Sequence, residues 1–336
     1  MDETAAAVDA LVAELARDDE RADDAGLPVV WTALEESGLS TVGVPETSGG
    51  SGGTLSDLTD LARSLGRHAV SAPLLEHATA RWALSGVEGA PTGGLLTATS
   101  SPPGSAPRDG AQMTVRQVPW ARHASHLLVV DAAGLTLVDL AHESVDVEEV
   151  RNEAGEPRDN VTFGRDAARS LEAVPSPAAV TNRLALLWSA AVAGAIEGTY
   201  RLTRDYVNSR HQFGAPLIKI PAVAALLATV KVELVQVDAS LARARREMTD
   251  EGDLRRATAA VGSARVVSAR AATVAARLSH QLHGAMGITA EYPLHRHTTR
   301  LWAWRDEAGS ELEWATGLGD MALSLGEEGL WDALTN

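Results

Sequence analysis

In the second half of the chain, leucine and valine recur at helical spacing on an alanine-rich background. Four long stretches show this pattern: 181–209, 221–250, 254–283 and 291–325. Alanine is the strongest intrinsic helix former and lets neighbouring helices approach closely, so stretches of this kind stack into a bundle rather than a sheet. The breaks between them are short and rich in turn residues: HQFGAPLIKIP, TDEGD and HGAMGIT. A helical bundle over 176–336 is therefore the expected C-terminal domain.

Upstream the texture changes twice. Over 93–175 the chain is cut into short β-branched stretches, LLTATSS, MTVRQV, HLLVVDAAGLTLVDL and NVTFG, separated by Gly, Pro, Asp and Asn. That is strand-and-turn chemistry, with a hairpin turning at Ala132–Gly134. EAVPSPAAV (172–180), with two prolines, reads as the linker into the bundle. Over 1–92 the pattern is helical again, with helices expected at Thr4–Arg17, Val30–Ser37 and Leu55–Leu65. The segment VGVPETSGGSGGT (42–54) between the last two is a tight connector, and no Lys-Ser/Thr follows its glycines to make a phosphate-cradling loop. The fold class expected is α+β: an N-terminal helical domain (1–92), a β-barrel-like middle domain (93–175) and a C-terminal four-helix bundle (176–336).

Composition narrows the function. With no cysteine there is no disulfide scaffold, thiolate metal site, iron–sulfur cluster or cysteine nucleophile. A formal net charge of −16 opposes general binding to nucleic acid or to an anionic membrane surface. The start, MDETAAAVDA, is acidic where an export signal would be basic, and the longest apolar run, Leu184–Ile196, is shorter than the ~20 residues a bilayer needs. A cytoplasmic protein is expected. His280, His283, His295 and His297 come without an acidic ligand or fixed spacing, so no metal site is expected. No G-x-S-x-G turn supports a hydrolase triad.

Two segments of the C-terminal half carry chemistry: RHQFGAPL (210–217), directly after a long helix, and QLHGAMGITAEYPLHR (281–296), between two others. Arg210 offers a planar fork of donors suited to a pyrophosphate. Phe213 and Gly214 would let an apolar ring and bare backbone approach a ligand. Gln281 can bond ribose or phosphate, His283 can add a hydrogen bond, and Gly284 and Gly287 permit close backbone approach.

Together with WTALEESGLSTVGVPETSGGSGG (31–53) and VPWARHASHLLVV (118–130), these segments resemble the acyl-CoA dehydrogenase flavoprotein family from about residue 30 to about 325. The family's pattern is R-x-x-F-G, then Q-x-x-G-G-x-G with E-Y-P downstream, after an N-terminal Trp…Gly-Leu…Val-Pro-Glu…Gly-Gly. The resemblance implies FAD as cofactor, held on its adenosine-diphosphate half by Arg210, Phe213, Gln281, His283, Gly284 and Ala285, with the flavin ring in a neighbouring subunit. Ala285 stands where the family has a second glycine.

The departures are as informative. The family's glutamate, which takes the α-proton of an acyl-CoA, lies in a Glu-Gly-Thr segment after E-Y-P. Counting from Glu291-Tyr292-Pro293, that segment falls on Ala308-Gly309-Ser310, and alanine cannot take a proton. The position some relatives use instead falls near Leu184, which is no carboxylate either. The segment TATSSPPGSAPRDG (97–110) lacks the family's flavin-ring signature. Trp302, Trp304 and Trp314 flank the lost base and are expected to plug a vestigial acyl pocket.

A chain with the cofactor contacts made across a subunit boundary, and without those of its own active site, resembles the short non-catalytic subunit of the actinobacterial α2β2 dehydrogenases that act on steroid side-chain CoA thioesters. That resemblance implies a homologous catalytic partner chain, an acyl-CoA substrate and an electron-transfer flavoprotein or similar acceptor. Two alternatives stay open: a self-sufficient homomeric dehydrogenase using Glu307, one position from the usual site, and a flavin-free scaffold or lyase.

Overall fold

The computed structural model describes residues 3–16, 26–100, 112–132, 134–172, 175–249 and 252–335. The chain divides into two compact units, residues 1–58 with 71–184 and residues 59–70 with 185–336.

The first unit opens with α1 (Glu3–Leu15) and α2 (Val29–Glu36), which follows Pro28 and buries Val30, Trp31 and Leu34. The 42–53 connector is a closed loop: Gly43 N–H donates to the Gly52 carbonyl at 2.8 Å and Gly52 N–H donates to the Val44 carbonyl at 3.0 Å. Then come α3 (Leu55–Arg67), whose first four residues belong to this unit, and α4 (Leu74–Ala83). The helices expected from sequence did not include α4, which starts directly after Pro73.

The β region forms two sheets. One has the order β1 (Leu96–Ser100), β3 (His126–Asp131), β4 (Gly134–Asp139), β7 (Ala168–Leu171), and the other β2 (Met113–Pro119), β6 (Arg158–Phe163), β5 (Asp146–Glu148). β1 runs parallel to β3 and the other pairs are antiparallel. The expected hairpin is present, with Asp131 opposite Gly134. Alternate residues Met113 and Val115, Leu127 and Val129, and Val161 and Phe163 meet in one core between the sheets, as a strand period of two requires. Residues 101–110, most of the segment read as having lost the flavin-ring signature, lie outside the described residues.

The second unit holds the rest of α3 and the long helices. α5 (Pro177–Ser209) begins where a linker was expected: the Ser176 hydroxyl accepts from the Ala179 N–H at 3.2 Å and Pro177 occupies the first turn, a common N-terminal arrangement. Among the described residues α5 alone is long and apolar enough to cross a membrane by length and composition, and 89% of its most apolar window is buried inside the protein. The short 184–196 run is thus part of a 33-residue helix with the burial of a core element.

A two-residue ribbon, β8 (His211–Gln212) and β9 (Ala215–Pro216), leads to α6 (Pro221–Glu247). Next is α7 (Leu254–His283), capped by the Asp253 carboxylate on the N–H groups of Arg255 and Arg256. A 3-10 turn, Gly284–Ile288, precedes α8 (Leu294–Trp304) and α9 (Glu311–Thr335), the latter kinked at Gly326. The stretch read as continuous over 291–325 is therefore broken after Trp304. Ser310 and Glu313 form a reciprocal capping box at the start of α9, with Ser310 N–H to Glu313 Oε2 at 2.8 Å and Glu313 N–H to Ser310 Oγ at 3.3 Å. α7 packs on α6, α8 and α9.

Glycine sets one crossing in this unit. A Cβ at Gly66 would stand 1.9 Å from the Ala191 carbonyl oxygen, and one at Gly194 would stand 1.9 Å from that of Arg63. The backbones of α3 and α5 touch there, and only glycine fits. Glu197 closes the same crossing on Arg63 (3.1 Å) and Arg67 (3.0 Å). Burial opposes ionisation of Glu197, but its bond to Arg67 and the charges of Arg67, Arg63 and Arg201 hold its carboxyl below the ordinary range.

Candidate functional site

All the predicted site residues lie in the second unit, at helix ends. α5 ends at Ser209, and Arg210 leaves the helix with its N–H still bonded to the Tyr206 carbonyl at 2.8 Å. Its guanidinium is exposed and pairs with no other described residue. The chain then reverses over two residues, with His211 opposite Pro216 and Gln212 opposite Ala215. Phe213 and Gly214 at the tip have φ of 54° and 82°, the double left-handed geometry of a tight hairpin turn. For a phenylalanine that conformation costs about 1 kcal/mol, and the ring is 93% exposed. Strain and an exposed aromatic ring at one residue are the mark of a contact-making tip.

The second segment sits at the end of α7. Gln281 is exposed with no partner among the described residues, and Gly284 (φ 57°, ψ −137°) and Ala285 are exposed at the turn. A Cβ at Gly214 or Gly284 would meet no protein atom within 4 Å. Both backbones are thus open to an incoming group. Free guanidinium, free amide and uncovered glycine backbone form a donor set that fits a dinucleotide's phosphates and ribose. His283 differs from its expected role: it is 3% exposed, its Nδ1–H donates to the Ser279 carbonyl at 2.8 Å, and burial lowers its pKa, leaving a neutral ring.

The two segments are brought together by packing. Val207, Leu227 and Leu282 form a buried cluster, with Tyr206, Leu217 and Ile218 against it. The residues flanking Arg210 and those flanking His283 therefore share one core.

The turn at 305–310 has another character. Ala308 has φ 53° and Gly309 φ 102°, so the backbone takes a special shape at the position where a glutamate was sought. The Ala308 carbonyl accepts from Trp314 Nε1 at 2.9 Å. Trp304 is buried and packs on Trp188 with ring centroids 5.5 Å apart, whereas Trp302 is partly exposed beneath the Arg305 guanidinium. The three tryptophans therefore do different work: one is core, one pins the Ala308 turn and one carries a surface cation.

Beneath this turn is a residue that sequence reasoning missed. Arg265 of α7 is 0% exposed and donates from Nη2 to the Trp304 carbonyl at 2.7 Å. Burial pushes its pKa down to about 10, against which the charges of Glu307 and Asp306 act, so it stays a cation. Glu307 thus serves as counter-charge to a buried guanidinium. The only sequence signal for Arg265 was its place as one of two arginines amid the small residues of GSARVVSARAA.

Of the other histidines, His280 Nε2 lies 2.9 Å from the Thr298 hydroxyl, His295 Nδ1–H donates to the Tyr292 carbonyl, and His297 is buried against Gly198. Among the described residues no three His, Asp or Glu side chains cluster as a metal would need.

Comparison with known proteins bears on the family and the fold. The family described as acyl-CoA dehydrogenase, C-terminal domain, matches residues 179–311. Acyl-CoA dehydrogenase FadE28 of Mycobacterium tuberculosis is 30% identical over 294 residues, covering 80% of this chain and 85% of FadE28. Acyl-CoA dehydrogenase IpdE2 of the same organism is 28% identical over 281 residues, covering 81% of this chain and 79% of IpdE2. Among solved structures, the steroid ACAD Tcur3481-Tcur3483 superposes with a TM-score of 0.84 at 24% identity, covering 96% of this chain and 98% of that one. The ChsE4-ChsE5 complex from Mycobacterium tuberculosis superposes at 0.80 and 20% identity, covering 97% and 99%.

Proposed function

The chain belongs to the acyl-CoA dehydrogenase family, and from that premise we propose that it is the non-catalytic partner chain of a heteromeric, FAD-dependent acyl-CoA dehydrogenase. One observation carries the reading. Arg210, Phe213, Gln281 and Gly284 stand exposed and uncommitted, while the position of the family's base is an alanine in a turn bound up by Trp314 and Arg265. Solved relatives that are themselves two-chain assemblies, such as the ChsE4-ChsE5 complex, favour the same arrangement.

In this reading Arg210 presents its fork of N–H donors to the pyrophosphate. Phe213 supplies an apolar face, Gln281 bonds the ribose or a phosphate, and the bare backbone at Gly284 and Ala285 approaches the ADP half. These residues would hold FAD, which would supply a hydride acceptor for the β-position of the acyl-CoA. A carboxylate of the partner chain takes the α-proton, because Ala308 of this chain carries no group that can accept it. The product is a trans-2-enoyl-CoA. The steroid ACAD among the structural neighbours favours a steroid side-chain CoA thioester as substrate. An electron-transfer flavoprotein or similar acceptor would reoxidise the flavin, and the complex would act in the cytoplasm.

The test is flavin absorbance and native mass, measured on this chain alone and after co-expression with a homologous chain. A flavin-poor chain alone, and a tetramer with about two FAD on co-expression, is the expected result. A flavin-loaded homotetramer that oxidises acyl-CoA unaided would overturn it.

A further inference from the structure

Arg210 and Gly284 belong to different helix ends, so a ligand that uses both needs those ends held in register. Two tyrosines span the gap, and each bonds to the other's side. Tyr206, one turn before Arg210 on α5, donates its hydroxyl to the His283 carbonyl at 3.3 Å. Tyr292, just beyond the Gly284–Ile288 turn, donates its hydroxyl to the Leu202 carbonyl at 3.3 Å. The Leu202 carbonyl is the one that closes the helical turn at Tyr206, and the His283 carbonyl is among the last of α7, which the helix itself leaves unsatisfied.

The imidazole of His283 fills the space between the phenols. It stacks on Tyr206 with centroids 4.4 Å apart and planes at 25°, and it lies 4.9 Å from the Tyr292 ring. The two phenols meet edge to face at 5.8 Å. With Nδ1 committed to Ser279, His283 Nε2 is buried and has no hydrogen-bond partner. The histidine is therefore closed off from an outside ligand, and its part is structural within the trio. Three aromatic rings and two crossed hydrogen bonds tie the end of α5 to the end of α7.

We propose that Tyr206, His283 and Tyr292 are positioning residues, a clamp that holds the Arg210–Pro216 hairpin and the Gly284–Ile288 turn in the mutual arrangement a single dinucleotide requires. The proposal rests on the preceding reading that both segments face the ADP half of FAD. Sites of this kind work only when their donors are held to within about 0.5 Å. The clamp supplies that constraint without touching the ligand.

The experiment uses the co-purified two-chain assembly carrying Tyr206→Phe and Tyr292→Phe together, which removes both hydroxyl bonds and keeps all three rings. Two quantities are read: FAD affinity, by titrating FAD into deflavinated assembly, and amide hydrogen exchange over residues 284–288. The clamp predicts at least a ten-fold loss of FAD affinity and at least ten-fold faster exchange at those amides, with native mass and exchange in the middle of α7 unchanged. Each single variant keeps one crossed bond and should fall between, which keeps the test decisive if the double variant assembles poorly. Unchanged exchange at 284–288 overturns the clamp whether or not flavin binds. Faster exchange with wild-type FAD affinity overturns its role toward the ligand. A wild-type assembly that takes up no FAD overturns the preceding reading, and the ligand role of the clamp with it.

Discussion

The hairpin at 210–217 and the turn at 305–310 both interrupt long helices, and each holds a non-glycine residue at positive φ next to a glycine, Phe213-Gly214 and Ala308-Gly309. Their surroundings are opposite. At the hairpin the ring is exposed and the neighbouring guanidinium has no partner among the described residues. At the turn, Trp314 bonds the Ala308 carbonyl, Arg265 bonds the carbonyl of Trp304 and Glu307 answers the buried charge. Strain left open to solvent is kept for a ligand. Strain enclosed by hydrogen bonds is a structural joint.

Exchanging stability for binding between the two arginines should break this contrast if it is wrong. Arg265→Ala removes a fully buried cation and leaves a cavity, so unfolding free energy should fall by about 3–5 kcal/mol in a denaturant titration. Arg210→Ala should change stability by less than about 0.5 kcal/mol, yet lower flavin retention by the assembly ten-fold or more. Equal stability losses at the two sites would end the distinction.

Acid should find the enclosed side chains first. His77 and His297 are buried and neutral, with pKa values near 3 from burial and then from the charges of Arg81 and Arg300 respectively. In the unfolded chain each binds a proton below its ordinary value of 6.5. Stability should therefore fall as pH drops from 6.5 toward 3, at up to about 1.4 kcal/mol per pH unit for each histidine. Replacing His297 with leucine should remove about half of that slope, measured as unfolding free energy against pH.

A smaller effect sharpens the picture at the turn. Glu307→Gln removes the counter-charge of Arg265 and should cost about 1–2 kcal/mol, while acyl-CoA oxidation by the assembly stays at the wild-type rate. Loss of turnover would reinstate Glu307 as a base. Smallest in energy is the glycine pair. Phe213→Gly and Ala308→Gly each relieve a left-handed residue and should stabilise by roughly 0.5 kcal/mol. Only the first should weaken FAD binding.

What sequence could reveal follows from range. α6 and α7 start where periodicity placed them, because Pro221 and the Asp253 cap are local signals. The exposed residues of the candidate site, Arg210, Phe213, Gln281 and Gly284, stand in contiguous motifs and were picked out for the same reason. The break at 305–310 was missed although Ser310-x-x-Glu313 spells a capping box, because apolar spacing from Leu294 to Trp314 masked it. His283 was assigned to the ligand from its place in a motif. Its ring lies against those of Tyr206 and Tyr292, and the Tyr206 hydroxyl bonds the His283 carbonyl across 77 residues of sequence. Arg265 escaped notice because its partners lie 39 or more residues away.

The glycine crossing of α3 and α5 has a consequence for how the chain is made. Arg63 and Glu197 are 134 residues apart, with residues 71–184 of the other unit emerging from the ribosome between them. Gly66, in the strip 59–70, must wait for Ala191 of α5 to arrive before the crossing can form. The bundle cannot close as translation proceeds, and its assembly bears the slow, long-range loop closure typical of high contact order. A gene fragment beginning after Val70 would encode every motif residue of the candidate cofactor site and still lack the strip on which Gly194 rests.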